Sequence, residues 1–281
     1  MQPLTITAAD GYKLSALFGK PWKPSAGTIV ISSATGIKKE FYINFSAFLT
    51  DIGYNVLLFD YRGIGGSAPY DLKTLQSYMY EWGTQDMNAV INYLAGEGLT
   101  DIIWVGHSVG GQLIGFLENK QHLRKVIAIN AAFGYWRFFP SPMKWMVWCL
   151  WYFVAPVLTK VYGYTPMQKV GWGENLPKNM AYEWREWCLS KSYFTSSLNR
   201  QLQADKFYKF TTPITALYLS DDLIANDKTV SLMMKFFPNS PQKIIKLSVM
   251  EHTRDRVGHN GIFRKKFENS LWPVLLEVIK N

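Results

Sequence analysis

The pentapeptide Gly106-His107-Ser108-Val109-Gly110 constrains this chain more than any other segment. An apolar run, Ile102-Ile103-Trp104-Val105, leads into it, and an amphipathic stretch over residues 111–118 leads out. G-x-S-x-G between a strand and a helix predicts a nucleophile elbow. A strand that turns abruptly into a helix holds its central Ser in a strained conformation, with the Oγ exposed at the carboxyl end of a sheet. Glycine at positions 106 and 110 lets strand and helix approach closely around that turn. The first N–H groups of the helix then face whatever anion forms there.

The rest of the chain alternates in the way such an elbow needs. Residues 4–7 and 14–18 read as an antiparallel pair. Residues 28–32, 55–60, 102–105 and 126–130 read as successive parallel strands, and their nearly unbroken apolar character predicts burial on both faces. Helical patterns over 41–51, 85–94 and 111–118 lie between them. The expected fold class is α/β, with a mostly parallel central sheet covered by helices on both faces. No repeat or low-complexity segment interrupts it, and Gly63, Gly65 and Gly66 read as a structural turn, since no phosphate-binding pattern opens a helix there.

Partners for Ser108 follow in a particular order. Residues 214–219 form a strand pattern that ends in Ser220-Asp221-Asp222, and the pattern over 244–249 precedes a loop carrying Val257-Gly258-His259-Asn260-Gly261. Ser is a poor nucleophile unless a base takes its proton. His titrates near neutrality and can return that proton to a leaving group. A buried carboxylate fixes the imidazole tautomer and stabilises the imidazolium. Asp221 and Asp222 both stand where that carboxylate is needed.

These segments, together with Phe59-Asp60-Tyr61-Arg62-Gly63-Ile64-Gly65-Gly66-Ser67, resemble the α/β-hydrolase superfamily. Within it the chain is similar to the branch of serine aminopeptidases and monoacylglycerol lipases, and most of all to predicted bacterial α/β-hydrolases of unassigned substrate. The resemblance runs from about residue 28 to the C-terminus. It implies a helical cap and a triad of Ser108, Asp222 and His259, since its pattern after the acid selects Asp222. Relatives carry His-Gly after the third strand, where a backbone N–H completes the oxyanion hole. Here the segment is Ala34-Thr35-Gly36-Ile37, so the expected donors are Val109 and Ile37, with Thr35 the alternative to Ile37. Relatives also have Pro where this chain has Asn226.

The cap is expected at 134–209, inserted between core segments 1–133 and 210–281. Seven of the eleven tryptophans lie there: Trp136, Trp145, Trp148, Trp151, Trp172, Trp184 and Trp187. Residues 143–158 carry Lys144 as their one charge and contain Pro156. That run is shorter than the roughly 20 residues a membrane span needs, so the first reading is a buried cap helix. Weak contact with a membrane surface is the second. Trp145, Trp148 and Trp151, with Phe41 and Tyr42, are the expected substrate-pocket residues.

An aromatic cap suits a small-molecule ester with an apolar portion. The amide alternative, implied by the aminopeptidase resemblance, needs a carboxylate for a substrate amine, and Glu174, Glu183 and Glu186 are the cap's candidates. A non-catalytic binding protein on the same fold is the third reading. Acyl transfer of this kind calls for no cofactor, and the four His form no metal signature. His107 reads as a packing residue, and His122 and His252 as surface. Asp60 reads as structural, paired with Arg62 or with loop amides. The net charge of +9 is dispersed and accompanies no nucleic-acid motif. Cys149 and Cys188 give no disulfide framework, and no leader pattern opens the chain, so a cytoplasmic location is expected.

Overall fold

The computed structural model describes residues 1–195 and 204–281. Eight strands form one sheet: β1 (Gln2–Thr7), β2 (Lys13–Gly19), β3 (Thr28–Ser32), β4 (Asn55–Phe59), β5 (Ile102–His107), β6 (Leu123–Ile129), β7 (Ile214–Leu219) and β8 (Gln242–Leu247). Their order is β1-β2-β4-β3-β5-β6-β7-β8. β2 runs antiparallel to β1 and β4, and every other pair is parallel. Each residue of β3, β4 and β5 is buried, whereas edge strands β1 and β8 are mostly exposed. The unbroken apolar runs are therefore the doubly covered centre of the sheet, and Lys243 and Lys246 mark an edge, where lysine discourages further pairing.

Alternate side chains of the central strands divide between two cores. Ile29, Ile31, Ile103 and Val105 face helix α1 (Ile43–Asp51) and the C-terminal helix Trp272–Lys280, through Phe45, Leu49, Trp272 and Leu275. Val30, Ile102, Trp104 and Ala128 face helix α2 (Asn88–Gly96), through Val90, Ile91 and Leu94. The segment between β6 and β7, the expected cap, shares this second core: Trp136, Val147, Leu150, Trp151 and Trp187 are buried within the same cluster. These described residues thus pack directly onto the core.

The helix patterns begin or end differently at four places. A 3₁₀ turn, Lys39–Tyr42, precedes α1, and a π-helical turn, Trp82–Met87, precedes α2. The helix after the elbow, α3 (Val109–Gln112), tightens at once into a 3₁₀ turn at Leu113–Phe116. In the cap, α4 (Met143–Cys149) and α5 (Ala155–Tyr162) are joined through a π-helical turn into one helix of 20 residues, Met143–Tyr162. Pro156 follows the π-helical turn directly, an interruption of the regular ladder of the kind at which a residue without an N–H is accommodated inside a helix.

Candidate active site

Ser108 sits between β5 and α3 with φ 51° and ψ −114°, a backbone conformation that costs energy for any residue with a side chain. The flanking glycines show what enforces it. A Cβ on Gly106 would lie 2.3 Å from the Gly110 carbonyl oxygen, and one on Gly110 would lie 2.4 Å from that of Ser32. Only glycine lets β5, α3 and the end of β3 converge so closely.

The turn aims Ser108 at His259. Ser108 Oγ and His259 Nε2 are 3.0 Å apart, and His259 Nδ1 is 2.7 Å from Asp222 Oδ2. The other carboxylate oxygen of Asp222 accepts the N–H groups of Ile224 (2.7 Å) and Ala225 (3.1 Å), which fixes the plane of a fully buried side chain. The adjacent Asp221 faces away. Its Oδ2 accepts the N–H groups of Val257 (2.7 Å) and Gly258 (3.0 Å), the residues that lead into His259. One acid therefore holds the imidazole and its neighbour holds the loop that carries it.

Two further side chains clamp His259 from behind. Its carbonyl accepts a hydrogen bond from Asn130 Nδ2 (2.7 Å) and lies 3.0 Å from His107 Nε2. His107 is wholly buried, and burial, reinforced by the neighbouring His259 imidazole, pushes its pKa down to about 3. It is therefore neutral, and its partners define its tautomer: Nε2–H donates to the His259 carbonyl, and Nδ1 accepts from the Tyr42 hydroxyl at 2.7 Å. The Tyr42 phenol, raised above its ordinary pKa by burial, stays protonated and accepts the Ala34 N–H at 3.0 Å. One chain of hydrogen bonds links the loop after β3 to the backbone of His259.

That loop decides where a second oxyanion donor can be. The Ile37 N–H donates to the Ala34 carbonyl at 3.1 Å, closing a turn, so the expectation of a free donor at Ile37 does not hold. Thr35 lines the same cavity as Ser108, and its N–H has no protein acceptor among the described residues. The Val109 N–H opens α3, where no helical carbonyl precedes it. The cap touches this loop directly, with the Glu174 N–H donating to the Gly36 carbonyl at 2.7 Å. A Cβ on Gly173 would lie 2.5 Å from that same oxygen.

Ser108 and His259 open into a cavity of about 350 Å³ roofed by the cap. Met143, Met146, Val147 and Trp151 line it from the long cap helix, and Trp184 and Cys188 from α6 (Lys178–Leu189). Phe139, Trp172, Tyr193, Ile224 and Asn260 complete much of the wall. Of the five expected pocket residues, Trp151 alone lines it. The inward positions 147, 151 and 155 repeat at helical spacing, and Trp145 and Trp148 fall off that line. Trp145 is 54% exposed, and Trp148 packs beside Tyr152 and Phe153. Tyr42 lies beneath the site on His107, and Phe41 packs edge-on against Tyr42. Gln112 and Tyr193, which bond to each other at 2.8 Å, supply polar atoms to the wall.

No carboxylate or cation outside the Ser–His–Asp arrangement lines the cavity among the described residues. Glu174, Glu183 and Glu186 all lie off it. Glu174 pairs with Lys38, and Glu183 accepts the Tyr80 N–H at 3.0 Å. Asp60 binds Lys39 and the amides of Lys39 and Gly66. Of the two expected partners of Asp60, the loop amides are therefore found, whereas Arg62 turns to Asp86 and Asp10. Asn226 caps the helix Asp227–Met234 and donates to the Phe138 carbonyl at 3.2 Å, tying the acid loop to the cap. Among the described residues no cluster of His, Cys, Asp and Glu forms a metal site, and both cysteines are free.

A mostly parallel sheet with a strained Ser at one strand end, and an acid and a His on later loops, defines the α/β-hydrolase class of enzymes. Residues 23–254 match the family described as serine aminopeptidase, S33, and the chain belongs to that family. No curated protein matches the sequence. Among solved structures, the fold is similar to an esterase from Exiguobacterium antarcticum, at 20% identity and TM-score 0.59, with 99% of each chain covered. It is also similar to a thermophilic esterase from Thermogutta terrifontis, at 14% identity and TM-score 0.58, covering 100% of this chain and 98% of that one. A bacterial membrane phospholipase A aligns at 17% identity and TM-score 0.56, covering 99% of this chain and 86% of that one.

Proposed function

We propose that this enzyme hydrolyses a carboxylic ester with an apolar acyl group through an acyl-enzyme on Ser108. The observation that carries the reading is the Ser108–His259–Asp222 arrangement, at 3.0 and 2.7 Å, opening into an uncharged cavity. His259 Nε2 takes the Ser108 proton as Oγ attacks the carbonyl carbon. The Val109 and Thr35 N–H groups receive the oxyanion, each donor contributing about 3 kcal/mol to the transition state. His259 returns the proton to the leaving alkoxide, and a water activated by the same base releases the acid. Asp222 orients the imidazole and stabilises the imidazolium.

The cavity volume falls at the lower end of that of small-molecule sites, about 300–1,000 Å³. Its apolar wall favours an acyl chain over a charged group. The family description raises an amide reading, which requires an anchor for a substrate amine. Glu174, Glu183 and Glu186 stand off the cavity, so the ester reading is preferred. A series of p-nitrophenyl esters run against aminoacyl p-nitroanilides tests the choice. Faster turnover of the anilides overturns it. Ser108→Ala should abolish ester turnover and labelling by a fluorophosphonate while the protein stays folded; wild-type turnover in that variant would refute the acyl-enzyme.

A further inference from the structure

We propose that the outer face of the cap helix Met143–Tyr162 docks in the plane of a lipid bilayer bearing anionic headgroups, and that the ester enters the cavity from that surface. The proposal rests on the ester-hydrolase reading for its substrate but not for its docking.

The helix is apolar on both sides. Val147, Trp151, Ala155 and Thr159, four residues apart, are buried on the core. The opposite stripe is left in water: Met146 is 49% exposed, Phe153 54%, Val157 61% and Val161 71%. A soluble helix ordinarily places charged and polar residues there, and a contiguous exposed apolar patch marks a contact surface. The long helix passes a length and composition test for a membrane span. Its inner side is nevertheless packed into the core cluster, so crossing a bilayer would strip that packing away. Lying in the interface keeps the inner side buried and covers the outer one.

Charge selects the partner. No Asp or Glu occurs anywhere in residues 119–173. Lys144 and Lys160 stand near the two ends of the stripe, and neither is in an ion pair among the described residues. A second copy of this face would bring four lysines together with no acid from the segment to offset them. An anionic lipid surface meets the same lysines favourably, by about 1 kcal/mol each.

The stripe also adjoins the reaction chamber. Met146 lines the cavity and is half exposed, so the same side chain belongs to both surfaces. An apolar ester lying in the interface can pass along it without crossing bulk water.

Co-flotation of the purified protein with vesicles of phosphatidylcholine, with and without phosphatidylglycerol, tests the docking. Binding should be at least tenfold stronger with phosphatidylglycerol and should weaken with salt. Phe153→Asp combined with Val157→Asp should lose at least tenfold in binding while keeping turnover of soluble p-nitrophenyl acetate within twofold. Lys144→Gln and Lys160→Gln should each lose about fivefold on anionic vesicles alone. Ser108→Ala should float as the wild type does, which separates failure of docking from failure of the chemistry. Three results overturn the proposal: no flotation of the wild type on either vesicle, wild-type flotation of the aspartate double variant, or a dimer in size-exclusion chromatography that this double variant dissolves.

Discussion

Burial of neutral His107 makes the fold acid-sensitive in a defined window. An unfolded chain offers this imidazole its ordinary pKa of 6.5, whereas the folded protein holds it at about 3. Between those values the unfolded state binds the proton and the folded state does not, so stability falls as pH falls. From this one group the loss is about 1 kcal/mol at pH 5.5 and about 2 kcal/mol at pH 5, and negligible at pH 7.5. His107→Gln removes the titration and keeps an amide that can still donate towards the His259 carbonyl. The variant should be less stable at pH 7.5, by about 1–3 kcal/mol for the disturbed buried hydrogen bonds, but flatter with pH. Urea midpoints of both proteins at pH 7.5, 6.5, 5.5 and 5 give the comparison. The wild type should lose about 1 kcal/mol more than the variant between pH 7.5 and 5.5. Parallel pH dependences would refute the argument, and would mean that His107 carries its proton in the fold.

The two neighbouring acids should separate chemistry from scaffolding. Asp222→Asn should cut kcat on a p-nitrophenyl ester by about 10⁴, with an unchanged melting temperature, because the imidazole loses its tautomer. Asp221→Asn should lower the melting temperature and cost far less in kcat, since its carboxylate holds backbone amides; the reverse ranking would exchange their roles. Trp151→Ala enlarges the cavity wall and should move the optimum along p-nitrophenyl acetate to decanoate towards longer chains, whereas Trp145→Ala, on the outer side, should leave the profile of these soluble esters where it was. Asn226→Ala removes a capping side chain and should cost about 1 kcal/mol in a urea melt; no loss would show that the cap's tie to Phe138 is idle.

The sheet was legible in the sequence because its central strands are buried on both faces and so read as unbroken apolar runs. The order of Ser108, acid and His259 was legible because each residue type is demanded by the chemistry and follows a strand end. The cavity wall was harder. Trp145, Trp148 and Trp151 look alike in composition, and what separates them is rotation about one helix. The inward line at 147, 151 and 155 appears only once the helix is known to run unbroken through a π-helical turn. Phe41 and Tyr42 lie close in sequence to the loop after β3, but Tyr42 bonds to His107 beneath the site, a direction that composition does not reveal. Ile37 follows the glycine that aligns with the relatives' His-Gly, but a turn hydrogen bond to Ala34, three residues back, occupies its N–H. Asn130 gave one faint signal: a polar residue closing an otherwise apolar strand pattern.

Glu174 donates to Gly36, one residue from Thr35, and Asn226 donates to Phe138 beside the acid loop. These two fastenings run from the roof of the cavity to the loops that carry Thr35 and Asp222. A roof held only by its own two chain ends could be rebuilt without touching what lies beneath it. Here the roof and the loops around Ser108 share hydrogen bonds, so they are built as one piece.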